Sequence, residues 1–547
     1  MRPVPQSSSE TFDYIVIGAG SAGCIVAARL AESGTARILL IEAGGADRHP
    51  FIAMPAAFTY AMSMRRFDWG YVSEPEPGLN GRRIDCPRGR VLGGSSSINA
   101  MAFVRGQPAD FDGWAAAGLP EWSYAQCLPY FKKLESFSGG ENEFRGGSGP
   151  LHVLQPRYST PLNALFLEAC REAGHRISDD TNGARQDGFG PMDQTIHEGI
   201  RESAARAYLR RARGGNLAIR KHAHVTRILF ADRRAVGVEY RQAGRLHEAR
   251  ASAEVILCAG AIGSPQILML SGIGPGAELS RLGIPVVRNS PEVGRNLQDH
   301  VDISCKHFTH GPVTMTSLLK WHRKPAVFLQ WAALRSGGGE TNHFEVAGYI
   351  RSDGTSGRPD IQICFIPMLV GSQGEVISGA HGFQATIMGL RPYSRGELRL
   401  KSPDPLQPPA LTFNYLSDAR DIRPLSDGIR RYREIVTAPA LAGITGAELA
   451  PGPEVVSDSD LEAFVRATGK STHHPCGTCR MGSDERSVVD SSGRVRGVAG
   501  LRVVDASIMP TICSGNINAP TMMIAEKLVD RIKAEQHEAH QLAAVAQ

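Results

Sequence analysis

The alternation of apolar and polar positions is clearest near the start of the chain. Residues 12–17 (FDYIVI) form a short apolar, β-branched run that predicts a buried strand. Residues 22–32 then have small and apolar positions at helical spacing, and residues 36–41 (ARILLI) predict a second strand ending at Glu42. The pattern therefore predicts a strand–helix–strand unit.

A glycine-rich turn lies between the first strand and the helix. Gly18 permits a tight turn, Gly20 lets the backbone approach a pyrophosphate, and Gly23 lets helix and strand pack closely. The helix N-terminus offers free N–H groups to phosphates, and Glu42 follows Gly23 at the spacing expected of a ribose ligand. The unit therefore predicts dinucleotide binding rather than an ordinary glycine turn, without separating FAD from NAD.

Further along the chain, sheet patterns predominate. Residues 255–257 predict a strand, followed by a small-residue turn and a helix over 264–270. Residues 346–350 and 361–365 predict strands, and residues 394–400 predict a turn followed by an alternating strand.

Composition limits the classes of protein to consider. The chain has 547 residues, which is more than a domain with one hydrophobic core usually contains. Its composition, 42% hydrophobic and 21% charged, is not that of a disordered protein. A net charge of +5 over this length gives no reason to expect a nucleic-acid surface. Residues 1–10 lack a secretory signal and no apolar run could cross a bilayer, so we expect a cytoplasmic protein.

Several longer motifs occur in a fixed order. They are residues 89–99 (GRVLGGSSSIN), 260–274 (GAIGSPQILMLSGIG), 293–300 (VGRNLQDH), 473–478 (HHPCGT), 504–506 (VDA) and 515–520 (GNINAP). Together they closely resemble the glucose–methanol–choline (GMC) flavoprotein oxidoreductases over nearly the whole chain.

The resemblance implies an α/β fold with a Rossmann-like FAD-binding domain and a substrate domain built on an antiparallel sheet. We expect the FAD domain over residues 1–155, 196–305 and 468–547, and the substrate domain over 156–195 and 306–467. The residues expected to bind FAD are Gly18, Gly20, Ser21, Ala22, Gly23, Glu42, Ala43, Arg90, Gly93, Gly94, Ser97, Asn99, Ala100, Met101, Ala102, Val225, Asp505, Ala506, Asn518 and Pro520.

The resemblance also bears on how FAD is attached. Several family members carry, at the position of Ile98, a histidine bonded covalently to the flavin ring. An isoleucine cannot form that bond, so we expect non-covalent FAD.

By the same resemblance, His474 and Asn518 are the expected catalytic pair. An imidazole is the natural base near neutral pH, and the Asn518 amide would donate a hydrogen bond to the substrate oxygen. His473 is the rival for the base. We expect Cys476 and Cys479 to be small buried thiols. A zinc site and a redox dithiol are weaker alternatives for these two cysteines, and we expect no metal.

The substrate side is predicted less sharply. Many relatives carry a histidine where this chain has Cys364, and Cys364 and His473 are candidates for contact with substrate. A choline-type substrate would need an aromatic cage and a carboxylate for its quaternary ammonium, for which Trp331, Phe344 and Glu345 are candidates by neighbourhood only. We expect oxidation of a neutral primary alcohol to an aldehyde, with oxygen or another compound as electron acceptor. Choline oxidation and a non-redox activity of the same fold (a hydroxynitrile lyase or photodecarboxylase) are the alternatives. An apolar stripe at 524, 528 and 532 leaves internal packing, membrane contact and a homo-oligomer open.

Overall fold

The computed structural model describes residues 10–156, 160–212, 214–352, 357–371, 377 and 380–545. Its strands are β1 Glu10–Ile17, β2 Ile38–Ile41, β3 Tyr71–Val72, β4 Asp85–Cys86, β5 Glu135–Phe137, β6 Leu151–Val153, β7 Gly188–Pro191, β8 Ile196–His197, β9 Ile200–Arg201, β10 Leu217–Arg220, β11 Ala223–Ala231, β12 Arg234–Gln242, β13 Arg245–Leu257, β14 Ile273–Gly274, β15 Arg288–Asn289, β16 Val301–Thr309, β17 Val346–Ile350, β18 Ile361–Ile366, β19 Gly382–Gly389, β20 Glu397–Arg399, β21 Ala410–Thr412, β22 Thr445–Ala450, β23 Lys470–Ser471 and β24 Leu501–Val503. Its helices are α1 Ser21–Ala31, α2 Pro50–Ala53, α3 Phe58–Ser63, α4 Pro108–Ala116, α5 Tyr124–Leu134, α6 Pro161–Glu172, α7 Gly260–Leu270, α8 Gly276–Arg281, α9 Lys324–Leu334, α10 Ile422–Val436, α11 Pro439–Ala442, α12 Asp458–Thr468 and α13 Asn518–Val545.

The first large sheet contains the predicted strand–helix–strand unit. Its strand order is β10-β2-β1-β13-β12-β11, and β24 pairs with β13. The pairs around β1 and β2 are parallel, whereas β11, β12 and β13 are antiparallel. Apolar β1 and β2 are buried because α1 covers them, as the runs at 12–17 and 36–41 predict.

The second large sheet is antiparallel and has the order β22-β16-β19-β18-β17-β7, with β23 beside β16. Strands β17 and β18 coincide with the predicted runs at 346–350 and 361–365. A Rossmann-like sheet and an antiparallel sheet confirm the predicted fold class. The domain boundaries stay a prediction, and β16 begins at Val301, before the expected boundary at 306.

The C-terminal helix α13 settles where its apolar stripe goes. Ile524, Leu528 and Ile532 are buried in the main core, so the stripe packs internally. Within the described ranges, no helix combines the length and apolarity needed to cross a bilayer.

Candidate active site

The glycine turn after β1 has the shape of a phosphate cradle. Gly18 has a φ of +92°, and a side-chain carbon there would lie 2.7 Å from the carbonyl oxygen of Cys258. A side-chain carbon at Gly23 would overlap the carbonyl oxygen of Gly18 at 1.8 Å, whereas one at Gly20 would come no closer than 4.0 Å to its nearest neighbour. Open space therefore lies beside Gly20 at the N-terminus of α1, where a pyrophosphate fits.

The serine-rich motif packs directly on this turn. A side-chain carbon at Gly94 would lie 2.6 Å from the Cα atom of Gly20, and the backbone N–H of Gly93 donates to the Ala19 carbonyl over 2.7 Å. The Ser97 hydroxyl donates to the Leu92 carbonyl over 2.6 Å and holds the loop closed. Two motifs far apart in sequence thus form one small-residue surface.

Glu42 ends β2 and orders the same turn. Its carboxylate accepts the backbone N–H groups of Ala19 at 3.0 Å and Gly44 at 2.7 Å, and burial raises its pKa to about 7. The Ala223 N–H donates to the Glu42 carbonyl over 2.9 Å, which brings the start of β11 beside this edge of the sheet.

The remaining residues expected to bind FAD lie on several different elements. Ser21 and Ala22 are the first residues of α1, Ala43 follows Glu42, and Pro520 lies in the first turn of α13. The Arg90 guanidinium lies 5.0 Å from the Trp69 ring centre, and Val225 is buried on β11. Ala100 accepts from Asn342, Met101 has a φ of +60°, and Ala102 packs in an apolar cluster with Cys364. Their contacts with FAD stay predictions.

Two further side chains, those of Asp505 and Arg201, connect the motifs, and Arg201 was not predicted from the sequence. The Asp505 carboxylate accepts the N–H of Gly260 over 2.8 Å. This hydrogen bond connects residues 504–506, which include Ala506, to the first residue of α7. Buried Arg201 donates to the Asn99 backbone oxygen at 2.6 Å and to its side-chain oxygen at 2.9 Å. A lone arginine carries no sequence signal, so Arg201 could not be identified beforehand.

The structure brings a different asparagine to His474 from the one predicted. The amide nitrogen of Asn516, not Asn518, lies 3.1 Å from His474 Nε2. The side-chain oxygen of Asn518 accepts instead from the Ser21 hydroxyl at 2.7 Å. The reason is local geometry: Asn518 is the first residue of α13 and lies beside the start of α1, whereas Asn516 precedes the helix in the loop after Gly515.

A chain of hydrogen bonds fixes the tautomer of His474. His300 Nε2 lies 3.0 Å from the carbonyl oxygen of Leu390, which can only accept, so His300 carries its proton on Nε2. Its Nδ1 then accepts from His474 Nδ1 over 3.1 Å, and the Thr472 hydroxyl lies 2.9 Å from the same atom. The proton of neutral His474 therefore sits on Nδ1, and the lone pair of Nε2 faces Asn516.

Both imidazoles are neutral at ordinary pH. Burial lowers the pKa of His300 to about 4. Burial, followed by the neighbouring His300 ring, lowers the pKa of His474 well below its usual range. An uncharged His474 can accept a proton at Nε2, as a general base must.

Asp299 holds the backbone of this cluster in place. One carboxylate oxygen accepts the N–H groups of His474 at 2.7 Å and His300 at 2.9 Å. The other accepts the Tyr415 hydroxyl at 2.7 Å and the Ser471 hydroxyl. Asp299 thus positions both histidines through their backbone.

The rival base, His473, takes no part in this chain. Burial lowers its pKa to about 3, its backbone carbonyl accepts from Arg88 over 2.6 Å, and its φ is +65°. Its Nδ1 has no hydrogen-bond partner in the described part of the chain. The thiols of Cys476 and Cys479 are buried, and burial raises the pKa of each.

On the second sheet, Gln362 lies between Cys364 and Asn516, the partner of His474. The Gln362 amide nitrogen lies 3.3 Å from the Cys364 sulfur and 3.4 Å from the Asn516 side-chain oxygen. Burial raises the pKa of Cys364 to about 12, so the thiol stays protonated and cannot act as a base.

Two carboxylates near this face, those of Glu345 and Asp302, differ in the hydrogen bonds that they accept. Glu345 is fully buried, and its carboxylate accepts from Asn163 and from the Thr341 hydroxyl, so it is held within the protein. Asp302 and Gln362 both pair with Met388 across the sheet and therefore share its face. Burial raises the pKa of Asp302 to about 6, and its Oδ1 has no hydrogen-bond partner among the described residues, with Lys470 Nζ 3.8 Å away.

Of the two aromatic candidates, one is already engaged. Trp331 is buried and donates through Nε1 to the Gly199 carbonyl over 2.7 Å. The Phe344 ring lies 6.0 Å from the ring of Phe58 and borders the apolar cluster that holds Cys364.

Comparison with known proteins places this geometry in context. Residues 12–302 and 392–525 match the N- and C-terminal family models described as GMC oxidoreductase. The oxygen-dependent choline dehydrogenase of Paraburkholderia xenovorans is 46% identical over 97% of this chain and 95% of its own. That of Pseudomonas aeruginosa strain LESB58 is 47% identical over 96% of each chain.

Solved structures agree with these matches. Pyridoxine 4-oxidase from Mesorbium loti superimposes with a TM-score of 0.87 at 32% identity, covering 95% of this chain and 99% of that one. A formate oxidase superimposes with a TM-score of 0.92 at 28% identity, covering 97% and 100%.

Proposed function

The chain belongs to the GMC oxidoreductase family, and we propose that it uses FAD to oxidise a primary alcohol to the aldehyde. The observation that carries the proposal is the convergence of His474 Nε2 and the Asn516 amide nitrogen, 3.1 Å apart. An alcohol oxygen within hydrogen-bond distance of both nitrogens would donate its proton to Nε2 and accept from the amide. Asn516 takes the role first assigned to Asn518.

FAD fits the residues present. The open space at Gly20 and the contact of Gly94 with the glycine turn suit a pyrophosphate. Buried Ile98 offers no side-chain atom for a covalent link, so the cofactor is held non-covalently. When bound, FAD supplies the two-electron oxidant that takes a hydride from the carbinol carbon.

The protein's own part is to manage the hydroxyl proton. An alcohol with a pKa of roughly 16 lies about 9 units above an ordinary imidazole, so forming a free alkoxide costs about 12 kcal/mol. The lowered pKa of His474 widens that gap. Proton loss is therefore coupled to hydride loss, and Asn516 stabilises the charge that develops on oxygen.

A cationic alcohol is the second candidate, because the relatives above are choline dehydrogenases. The observation that favours it is Asp302, which lies on the sheet face that carries Gln362; its Oδ1 accepts no hydrogen bond among the described residues and has Lys470 Nζ 3.8 Å away as a long ion pair. Glu345, the carboxylate first considered, is occupied by Asn163 and Thr341. An ammonium group would find its counter-charge at Asp302.

Anaerobic mixing of the holoenzyme with an alcohol panel tests the proposal. The panel contains aliphatic, aryl and furanic primary alcohols and choline. A productive substrate bleaches the flavin absorbance in near-stoichiometric amount, and a non-redox enzyme of this fold leaves it unchanged with every compound. Comparison of Asp302→Asn with Glu345→Gln separates the substrates: only Asp302→Asn should raise KM, and only for choline. Aerobic turnover beside dye-coupled turnover identifies the acceptor class.

A further inference from the structure

Helix α9 has one polar residue, Gln330, after Lys324 at its start, and it buries only one of its sides. Its sequence, KPAVFLQWAAL, has no charged residue after Lys324. Val327, Phe328 and Trp331 pack on an apolar cluster with Met54 and Ala57. An amphipathic surface helix would place polar residues on the other side.

The outward side of α9 is mostly apolar. Leu329 is 64% exposed and Leu334 is 70% exposed, and Ala326, Ala333 and the polar Gln330 are also exposed. Trp321, in the turn that leads into the helix, is 82% exposed. Large exposed apolar residues grouped on one helix and the turn before it indicate an interaction surface, because soluble proteins otherwise keep such residues scattered.

Basic residues flank this apolar face at both ends. Lys320, Arg323 and Lys324 are exposed before or at the helix start, and Arg335 follows its end. Lys324 donates to the Tyr60 hydroxyl at 2.9 Å, and Arg335 lies over the Trp331 ring at 4.4 Å. No ion pair joins any of the four to an acidic side chain in the part of the protein described.

We propose that this α9 surface (Trp321, Ala326, Leu329, Ala333, Leu334 and the four basic residues) docks on an anionic lipid bilayer. An apolar face with an exposed tryptophan and flanking cations is the pattern of an interfacial helix. At about 1.5 Å per residue, its 11 residues span roughly 16 Å, so the helix lies along the membrane surface instead of crossing it.

Charge argues against a second copy of the chain as the occupant. Two α9 helices packed antiparallel would place Lys320, Arg323 and Lys324 of one beside Arg335 of the other. Packed parallel, each basic cluster would face itself. Both arrangements bring like charges together, whereas an anionic surface neutralises them.

Flotation of the holoenzyme with vesicles tests this surface independently of the reaction. We expect binding to phosphatidylcholine vesicles containing about a third phosphatidylglycerol, and much weaker binding to phosphatidylcholine alone. Raising salt from about 0.1 M to several times that value should release the protein. The emission of Trp321 should shift to the blue on binding, and Trp321→Phe should remove the shift.

Matched variants assign the binding to α9. Leu329→Glu combined with Leu334→Glu should lower the partition coefficient at least tenfold. Lys320→Glu with Arg323→Glu should do the same for anionic vesicles only. Leu246→Glu, at a position 58% exposed on β13, is the control and should change nothing. Flavin content and dye-coupled turnover without vesicles establish that each variant is folded.

Three outcomes would overturn the proposal. They are no flotation with anionic vesicles, flotation that survives in the Leu329→Glu/Leu334→Glu variant, and a dimer in sedimentation velocity that this variant abolishes while the wild type ignores vesicles. The last result would assign the surface to a second copy of the chain.

Discussion

Removing the side chains that accept a hydrogen bond from His474 Nδ1 should slow turnover, although the base, His474, is still present. Two acceptors hold that proton, His300 Nδ1 at 3.1 Å and the Thr472 hydroxyl at 2.9 Å. A neutral hydrogen bond contributes about 1 kcal/mol, which corresponds to about fivefold in rate. We therefore expect His300→Phe or Thr472→Val to lower kcat about fivefold, and the double variant to lower it about thirtyfold or more.

The assay is alcohol oxidation at saturating substrate, with flavin content measured on the same samples. KM should change little, because both side chains contact His474 Nδ1, on the opposite side of the ring from Nε2. Thr472→Ser, which keeps the hydroxyl, should restore turnover and serves as the control. A double variant that binds FAD and turns over at the wild-type rate would refute the assigned tautomer. The tautomer would also be wrong if Thr472→Ser lost as much activity as Thr472→Val.

Three further predictions concern the attachment of the cofactor, the pH dependence of turnover and the pH dependence of stability. Acid precipitation should release the flavin into the supernatant, since Ile98 cannot hold it covalently; a yellow pellet would contradict this. Because burial lowers the pKa of His474, kcat/KM should be flat from about pH 6 to 8, and a limb near 6.5 would contradict the assignment. The lowered pKa of buried His300 and His343, about 4 each, also affects folding. The unfolded chain binds protons on these residues below about pH 6.5 and the folded chain does not. Unfolding by denaturant should therefore show full stability above pH 6.5 and a loss on the order of 3 kcal/mol per residue towards pH 4.

Local patterns predicted the fold because each element is defined by its own residues. The apolar run at 12–17, the glycine turn and the run at 36–41 specify strand, cradle and strand without reference to distant parts of the chain. The motifs that occur in a fixed order along the chain likewise predicted the GMC family. Helix α9 shows the limit of this reasoning, because its composition is that of a core helix and only packing reveals the exposed face.

The site could be predicted only in part, because its contacts cross long stretches of sequence. Asn516 and Asn518 are separated by one residue, and spacing cannot tell which one faces His474. The start of α13 at Asn518 decides it by turning that side chain towards Ser21. His300 lies 174 residues from His474, and Asn163 lies 182 residues from Glu345. No local pattern links residues so far apart.

The most direct test of the account compares two asparagines in one experiment. Asn516→Ala and Asn518→Ala are made in the same background, saturated with FAD, and mixed anaerobically with the best alcohol of the panel. Loss of a donor aimed at the substrate oxygen should slow flavin reduction about 10²- to 10³-fold in Asn516→Ala, and Asn518→Ala should stay within about fivefold of wild type. Rapid reduction in Asn516→Ala together with slow reduction in Asn518→Ala would contradict the proposed pairing with His474.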